Sequence, residues 1–195
     1  MKKLTVKALV GIGMLSSISY ILMLLNFPLP PFPNFLMIDF SDIPALIAAL
    51  IFGPVAGILV ELIKNILDYF MTGSATGVPV GHIANFVAGI LFVLPTYFVY
   101  NKLKTKKGMT FGLVIGTFIM AVIMSVLNYF IIYPAYTLFL NMPAMSAPEI
   151  RTVVVTAILP FNIIKGLLIT LVFMLLFTRM SPWINKQGPY KGAIQ

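Results

Sequence analysis

The residues best suited to chemistry in this sequence are polar side chains set in apolar surroundings. Glu61, Lys64, Asn65 and Asp68 stand close together in one stretch. In a helix turning about 100° per residue they share a face about 100° wide. Glu61 to Lys64 is i,i+3 and Lys64 to Asp68 is i,i+4, so local ion pairs can form. A self-neutralised stripe turned into a bundle would account for them. Asn162 and Lys165 are also three apart, but Lys165 has no acidic neighbour on its own stretch. Its charge must be met by another segment, by water or by ligand oxygens. His82 with Asn85, and Ser125 with Asn128 and Tyr129, complete the set. A lone Asn can serve as an interhelical hydrogen bond, worth about 0.6 kcal/mol in a membrane bundle. His82 is the single histidine and lacks companions at ligand spacing, so no metal site is expected.

These groups are conspicuous because of what surrounds them. Of 195 residues, 60% are hydrophobic and 9% charged, against about 45–50% and about 25% in soluble domains. That excludes a soluble enzyme, a disordered tail and a secreted disulfide scaffold, and indicates an integral membrane protein. At mid-bilayer each ionisable group costs about 2.5–3.5 kcal/mol, so it needs a partner or a task. The absence of cysteine excludes disulfides, thiol catalysis and thiolate metal sites. Neither G-x-x-x-x-G-K-[ST], G-x-S-x-G nor H-E-x-x-H occurs, so the chain has no phosphate-binding loop of its own and no such catalytic motif.

The elements that must position these residues are read from apolar runs and breakers. They predict a single all-α domain over 1–195 with six transmembrane helices near 5–25, 43–52, 54–70, 82–100, 109–132 and 152–178. The apolar run after the basic N-terminus is not followed by a small-x-small cleavage site, so it reads as a span rather than a signal peptide. The segment 27–42 holds four prolines and reads as irregular chain. Gly53-Pro54 divides what would otherwise be one long helix. Segments 71–81 and 133–150 read as loops. The net charge of +8 gathers as Lys2, Lys3 and Lys7, then Lys102, Lys104, Lys106 and Lys107, then Arg179, Lys186 and Lys191. These clusters alternate with spans, which suits membrane topology rather than nucleic acid. Six crossings place every cluster and both termini on the cytoplasmic side; five would put the Lys102–Lys107 loop outside.

With that topology the polar groups share a depth. Lys64, Asn65 and Asp68, His82 and Asn85, Asn128, and Asn162 with Lys165 all fall in the outer halves of their helices. The outer loops carry Phe32, Phe35, Phe40, Tyr133, Tyr136 and Phe139. The composite is a pocket with Asn and Lys below and aromatic walls above. It suits a neutral or weakly anionic ligand with a polyhydroxyl or carbonyl part and a flat apolar part. On the first helix, Gly13 and Ser17 stand four apart, a small-xxx-small spacing that permits close approach of another helix.

The stretches FPLPPFPNFLMIDFSDIPAL (27–46), FGPVAGILVELIKNILDYF (52–70), HIANFVAG (82–89), SVLNYFIIYP (125–134) and ILPFNIIKG (158–166) resemble the substrate-binding S component of energy-coupling factor (ECF) transporters, specifically the riboflavin-specific kind. The resemblance implies the six-helix S-component fold and a bacterial plasma membrane location. It implies capture of riboflavin, as transported ligand rather than cofactor, from outside. It carries the ribityl-binding role onto Asn128, Asn162 and Lys165. The isoalloxazine ring would lie near Met37, Phe40, Asn85 and Gly89. The family's A-x-x-x-A docking motif for the transmembrane coupling subunit EcfT falls on Gly13 and Ser17, both small but neither Ala. Two ABC-type ATPases would supply the energy, and no catalysis is expected of this chain. The alternatives are an S component for another vitamin or for flavin mononucleotide, a small lipid-acting membrane enzyme using Glu61, Lys64 and Asp68, or a structural or channel-forming bundle.

Overall fold

The computed structural model describes residues 5–187 except Asn34, Ala75, Asn141, Met142 and Ala144, and describes no side chains over 183–187. Lys2, Lys3 and Lys191 of the basic clusters lie outside the described residues.

Among the described residues, six helical rods make up the fold. Helix α1 (Val6–Leu24) starts where the Thr5 hydroxyl accepts the Ala8 N–H at 3.2 Å, a side-chain cap for an orphan donor. The segment that follows carries a short antiparallel pair, β1 (Phe27–Pro28) with β2 (Met37–Ile38). Helix α2 (Asp42–Phe52) ends at Gly53, whose φ of +100° favours glycine, and Pro54 opens α3 (Pro54–Thr72). Helix α4 (Val80–Leu103) turns at Lys104 into α5 (Lys106–Leu127), where the Thr105 hydroxyl caps the Gly108 N–H at 2.9 Å.

The last two rods differ from the sequence expectation. A π-helical turn (Asn128–Ile132) carries α5 into α6 (Tyr133–Phe139). Helix α7 (Ala147–Val153) passes through a second π turn (Val154–Ile158) into α8 (Leu159–Gln187). Much of the expected 133–150 loop is therefore helical. Pro134 and Pro160 each sit two residues past a π turn. Proline has no N–H and crowds the preceding carbonyls, and the wider i→i+5 turn absorbs that without ending the rod. The start of α7 is written in Ser146 and Glu149, which form a reciprocal capping box.

Among the described residues, four rods are long and apolar enough to cross a membrane: Val6–Leu24, Val80–Leu103, Lys106–Phe139 and Ala147–Pro182. Helix α3 has the length, about 28 Å at 1.5 Å per residue, but carries its charges on its inner face. Glu61, Lys64 and Asn65 are buried, while Leu62, Ile66 and Phe70 point outward. Helix α2 is short and buried along Asp42–Ile51, forming the bundle centre with Val60, Phe92, Val93 and Phe173. Helices α4 and α5 approach closely at Gly112, where a Cβ would come within 2.9 Å of the Thr96 carbonyl oxygen.

Candidate binding cavity

A cleft with a cavity volume of about 120 Å³ opens at the end of the bundle opposite the Lys104-Thr105 turn. Its lining comes from the first turns of α4 (Gly81, Ala84, Asn85, Ala88), the last turns of α5 (Met120, Met124) and its π turn (Asn128, Ile132), and Tyr136 of α6. The second π turn and the start of α8 supply Ile158, Phe161, Asn162 and Lys165, and the α1–α2 connection supplies Phe35, Leu36 and Met37.

Each polar group has a definite hydrogen-bonding state. Asn128 Nδ2 donates to the Met124 carbonyl at 2.8 Å, and Asn162 Nδ2 to the Ile158 carbonyl at 3.0 Å. Each spends a donor on its own helix. The amide oxygen of each has no partner among the described residues. The buried Asn85 Oδ1 likewise has none. Lys165 Nζ donates to Asp39 Oδ2 at 2.8 Å. An ammonium has three donors, so two remain for the cleft. The floor thus offers amide oxygens that accept and an ammonium that donates, which is what a chain of hydroxyls requires.

The loop wall is fastened at several points. Phe32 meets Phe161 edge-on at 5.6 Å between ring centroids, and Phe35 lies 6.4 and 6.3 Å from Tyr133 and Tyr136. Asp39 Oδ1 accepts the Ser41 N–H at 2.9 Å and also the Ser41 hydroxyl. The Ser41 carbonyl accepts the Ser19 hydroxyl of α1. Burial opposes ionisation of Asp39, but the nearby Lys165 and Lys64 ammoniums outweigh it and hold the carboxyl down to about 2.

Behind the cleft lies a second charged cluster. Lys64 Nζ is 2.7 Å from Ser41 Oγ, 2.6 Å from Asp42 Oδ1 and 2.8 Å from Glu61 Oε2, with Lys64 and Glu61 fully buried. The Glu61–Lys64 pair forms as its spacing suggests. The i,i+4 pair with Asp68 does not: Asp68 Oδ2 lies 3.0 Å from His82 Nε2. Lys64 turns inward to Asp42, while Asp68 sits a turn further out, where α4 supplies the histidine.

Of the seven residues expected at the ligand, Asn85, Asn128, Asn162, Lys165 and Met37 line this one cleft. Phe40 and Gly89 do not. Phe40 packs against the core, and Gly89 faces Glu61, whose carboxyl group occupies the space a Cβ would take. Gly13 and Ser17 lie on the outer face of α1, with open space beside Gly13. Sequence reasoning missed Asp39 as the partner of Lys165, and Met120 and Met124 as apolar floor. A signal for Asp39 existed: Asp39 and Asp42 are two of the chain's five carboxylates, in a loop otherwise without charge.

A bundle of long apolar helices around an open cleft floored by amide and ammonium groups has the form of a small-molecule binding protein set in a membrane. The chain belongs to the ECF transporter substrate-specific components, whose family model matches residues 7–177. It is 57% identical over 93% of its length to riboflavin transporter FmnP of Bacillus subtilis (strain 168), covering 96% of that protein. It is 43% identical to riboflavin transporter RibU of Staphylococcus aureus (strain TCH60), covering 92% of this chain and 93% of the relative. A solved structure described as "Structure and mechanism of the S component of a bacterial ECF transporter" superposes with a TM-score of 0.77 at 41% identity, over 91% of this chain and 97% of that one.

Proposed function

We propose that this chain is the riboflavin-binding subunit of an ECF transporter and mediates riboflavin uptake across the bacterial plasma membrane. The observation that carries this reading is the cleft. Unpartnered amide oxygens and two free Lys165 donors line it together with the apolar side chains of Phe35, Leu36, Met37 and Phe161. Riboflavin has the matching halves: a ribityl chain for Asn128, Asn162 and Lys165, and a flat ring for Met37 and the α4 face at Asn85. The names borne by the 57% and 43% identical relatives support the same ligand.

The cleft opens opposite the lysines at 102, 104, 106 and 107. By the positive-inside rule that end is extracellular and both termini are cytoplasmic. The energy comes from ATP hydrolysis in two ABC-type ATPases, coupled to this chain through the transmembrane subunit EcfT. Gly13 and Ser17, small and outward on α1, suit a close approach by EcfT. The lipid-enzyme alternative loses its candidate face, since Glu61 and Lys64 are buried against each other and Asp68 is held by His82.

The test is colour. Protein purified in detergent from riboflavin-containing medium is expected to carry a yellow, fluorescent flavin. A colourless preparation that, once stripped, shows no saturable riboflavin binding on titration overturns the proposal.

A further inference from the structure

Lys165 is the one charged residue lining the cleft among the described residues. A lone lysine on the floor would favour any anionic ligand, and a phosphorylated flavin above a neutral one. Its charge, however, is already met. Asp39 Oδ2 sits 2.8 Å from Nζ, and the pair is almost fully buried. Behind it stand Asp42 and Glu61 against Lys64. A phosphate group, carrying about −1.5 to −2 at neutral pH, would meet a lysine whose charge Asp39 already answers. A hydroxyl meets no such objection. It accepts from one of the free Nζ donors and gives its proton to an amide oxygen of Asn128 or Asn162.

We infer that Asp39 is a positioning and selectivity residue. It fixes the Lys165 ammonium on the cleft floor and cancels its charge, so the site takes a neutral polyhydroxyl chain in preference to a phosphorylated one. This deepens the riboflavin reading and rests on it. Discrimination of this kind needs a repulsive element as well as an attractive one. Asp39 supplies both from a single carboxylate: Oδ1 is anchored by Ser41, and Oδ2 holds the lysine. It also lies two residues from Met37 in the loop wall, so the pair ties that wall to α8.

The experiment titrates flavin-stripped protein with riboflavin and with flavin mononucleotide, reading flavin fluorescence. It compares the wild type, Asp39→Asn, Lys165→Met and the double variant. The wild type is expected to prefer riboflavin. Asp39→Asn is expected to weaken riboflavin binding about tenfold, the scale of one charge-assisted hydrogen bond. Its binding of the mononucleotide should fall less or rise, so the preference collapses. In the Lys165→Met background the same substitution should leave the preference unchanged, because the lysine through which Asp39 acts is gone. A merely structural Asp39 would weaken both ligands together, and an unchanged preference in Asp39→Asn overturns the inference. Should that variant fail to fold, Asp39→Glu decides: it keeps the charge, so discrimination must persist while riboflavin affinity falls, and lost discrimination overturns the inference. A wild type that binds riboflavin while Asp39→Asn keeps its preference removes the role of Asp39 alone. A wild type that binds neither flavin removes the proposed ligand and that role together.

Discussion

Two lysines sit in the interior of this bundle, and they are used in opposite ways. Lys64 has three N–H groups and three close oxygens: it donates to Ser41 and Asp42 and forms an ion pair with Glu61. It is fully buried, and nothing about it is left to bind a guest. Lys165 has the same three N–H groups and one partner, Asp39. It borders an open cleft beside unpartnered amide oxygens. The chemical group is the same, and the two are linked through Asp39 and Ser41. What separates structure from function here is the number of donors left unspent, and a buried charge alone says little about either.

The comparison breaks most decisively at Lys64. Lys64→Met would leave Asp42 and Glu61 facing each other without their cation. Removing one partner of a buried ion pair costs about 3–5 kcal/mol. The variant is expected to aggregate or to melt far below the wild type in a detergent thermal-shift assay, with or without riboflavin. A well-folded, ligand-binding Lys64→Met would place this lysine with Lys165 and dissolve the distinction.

Lys165→Met should do the reverse. The loss of hydrogen bonds from a charged donor, about 1.5–3 kcal/mol, corresponds to roughly 10- to 100-fold in affinity. The fold should persist, since Asp39 keeps its Ser41 bonds and the Lys64 cluster stays intact. Titration with riboflavin should show the loss, while the size-exclusion profile stays monodisperse. Unchanged affinity would mark Lys165 as a second structural lysine.

Much of this contrast could be read before any coordinates. The cost of polar and ionisable groups in apolar helices singled out Glu61, Lys64, Asn162 and Lys165, and helical spacing put them on faces. The alternation of lysine clusters with apolar runs, and the Gly53-Pro54 break, set the number of rods. What stayed hidden was long-range. Asp39 meets Lys165 across 126 residues of chain, and no periodicity connects a loop to a distant helix. Asp42 displaced Asp68 as the partner of Lys64 for the same reason: i,i+4 geometry permits a pair, but the inward direction of the side chain decides it. The prolines at 134 and 160 misled in a different way. They are breakers in isolation, yet π turns carry both rods through them and place Asn128 and Asn162 beside the cleft.

Gly89 gives the finest division between the two regions, with the smallest expected effect. It lies one residue past Ala88, which lines the cleft, but its own α-carbon faces the Glu61 carboxyl group. A Cβ there would overlap that carboxyl. Glu61 cannot simply swing away, because Lys64 holds it. Gly89→Ala should therefore push α3 and α4 apart slightly, at a cost of about 1–3 kcal/mol for overpacking. Melting temperature should drop by several degrees while riboflavin affinity stays within about twofold. If Gly89 instead touches the flavin ring, as the family resemblance implies, the two readouts exchange places: affinity falls and melting hardly moves. A single substitution thus reports whether the charged cluster or the cleft owns this turn of α4.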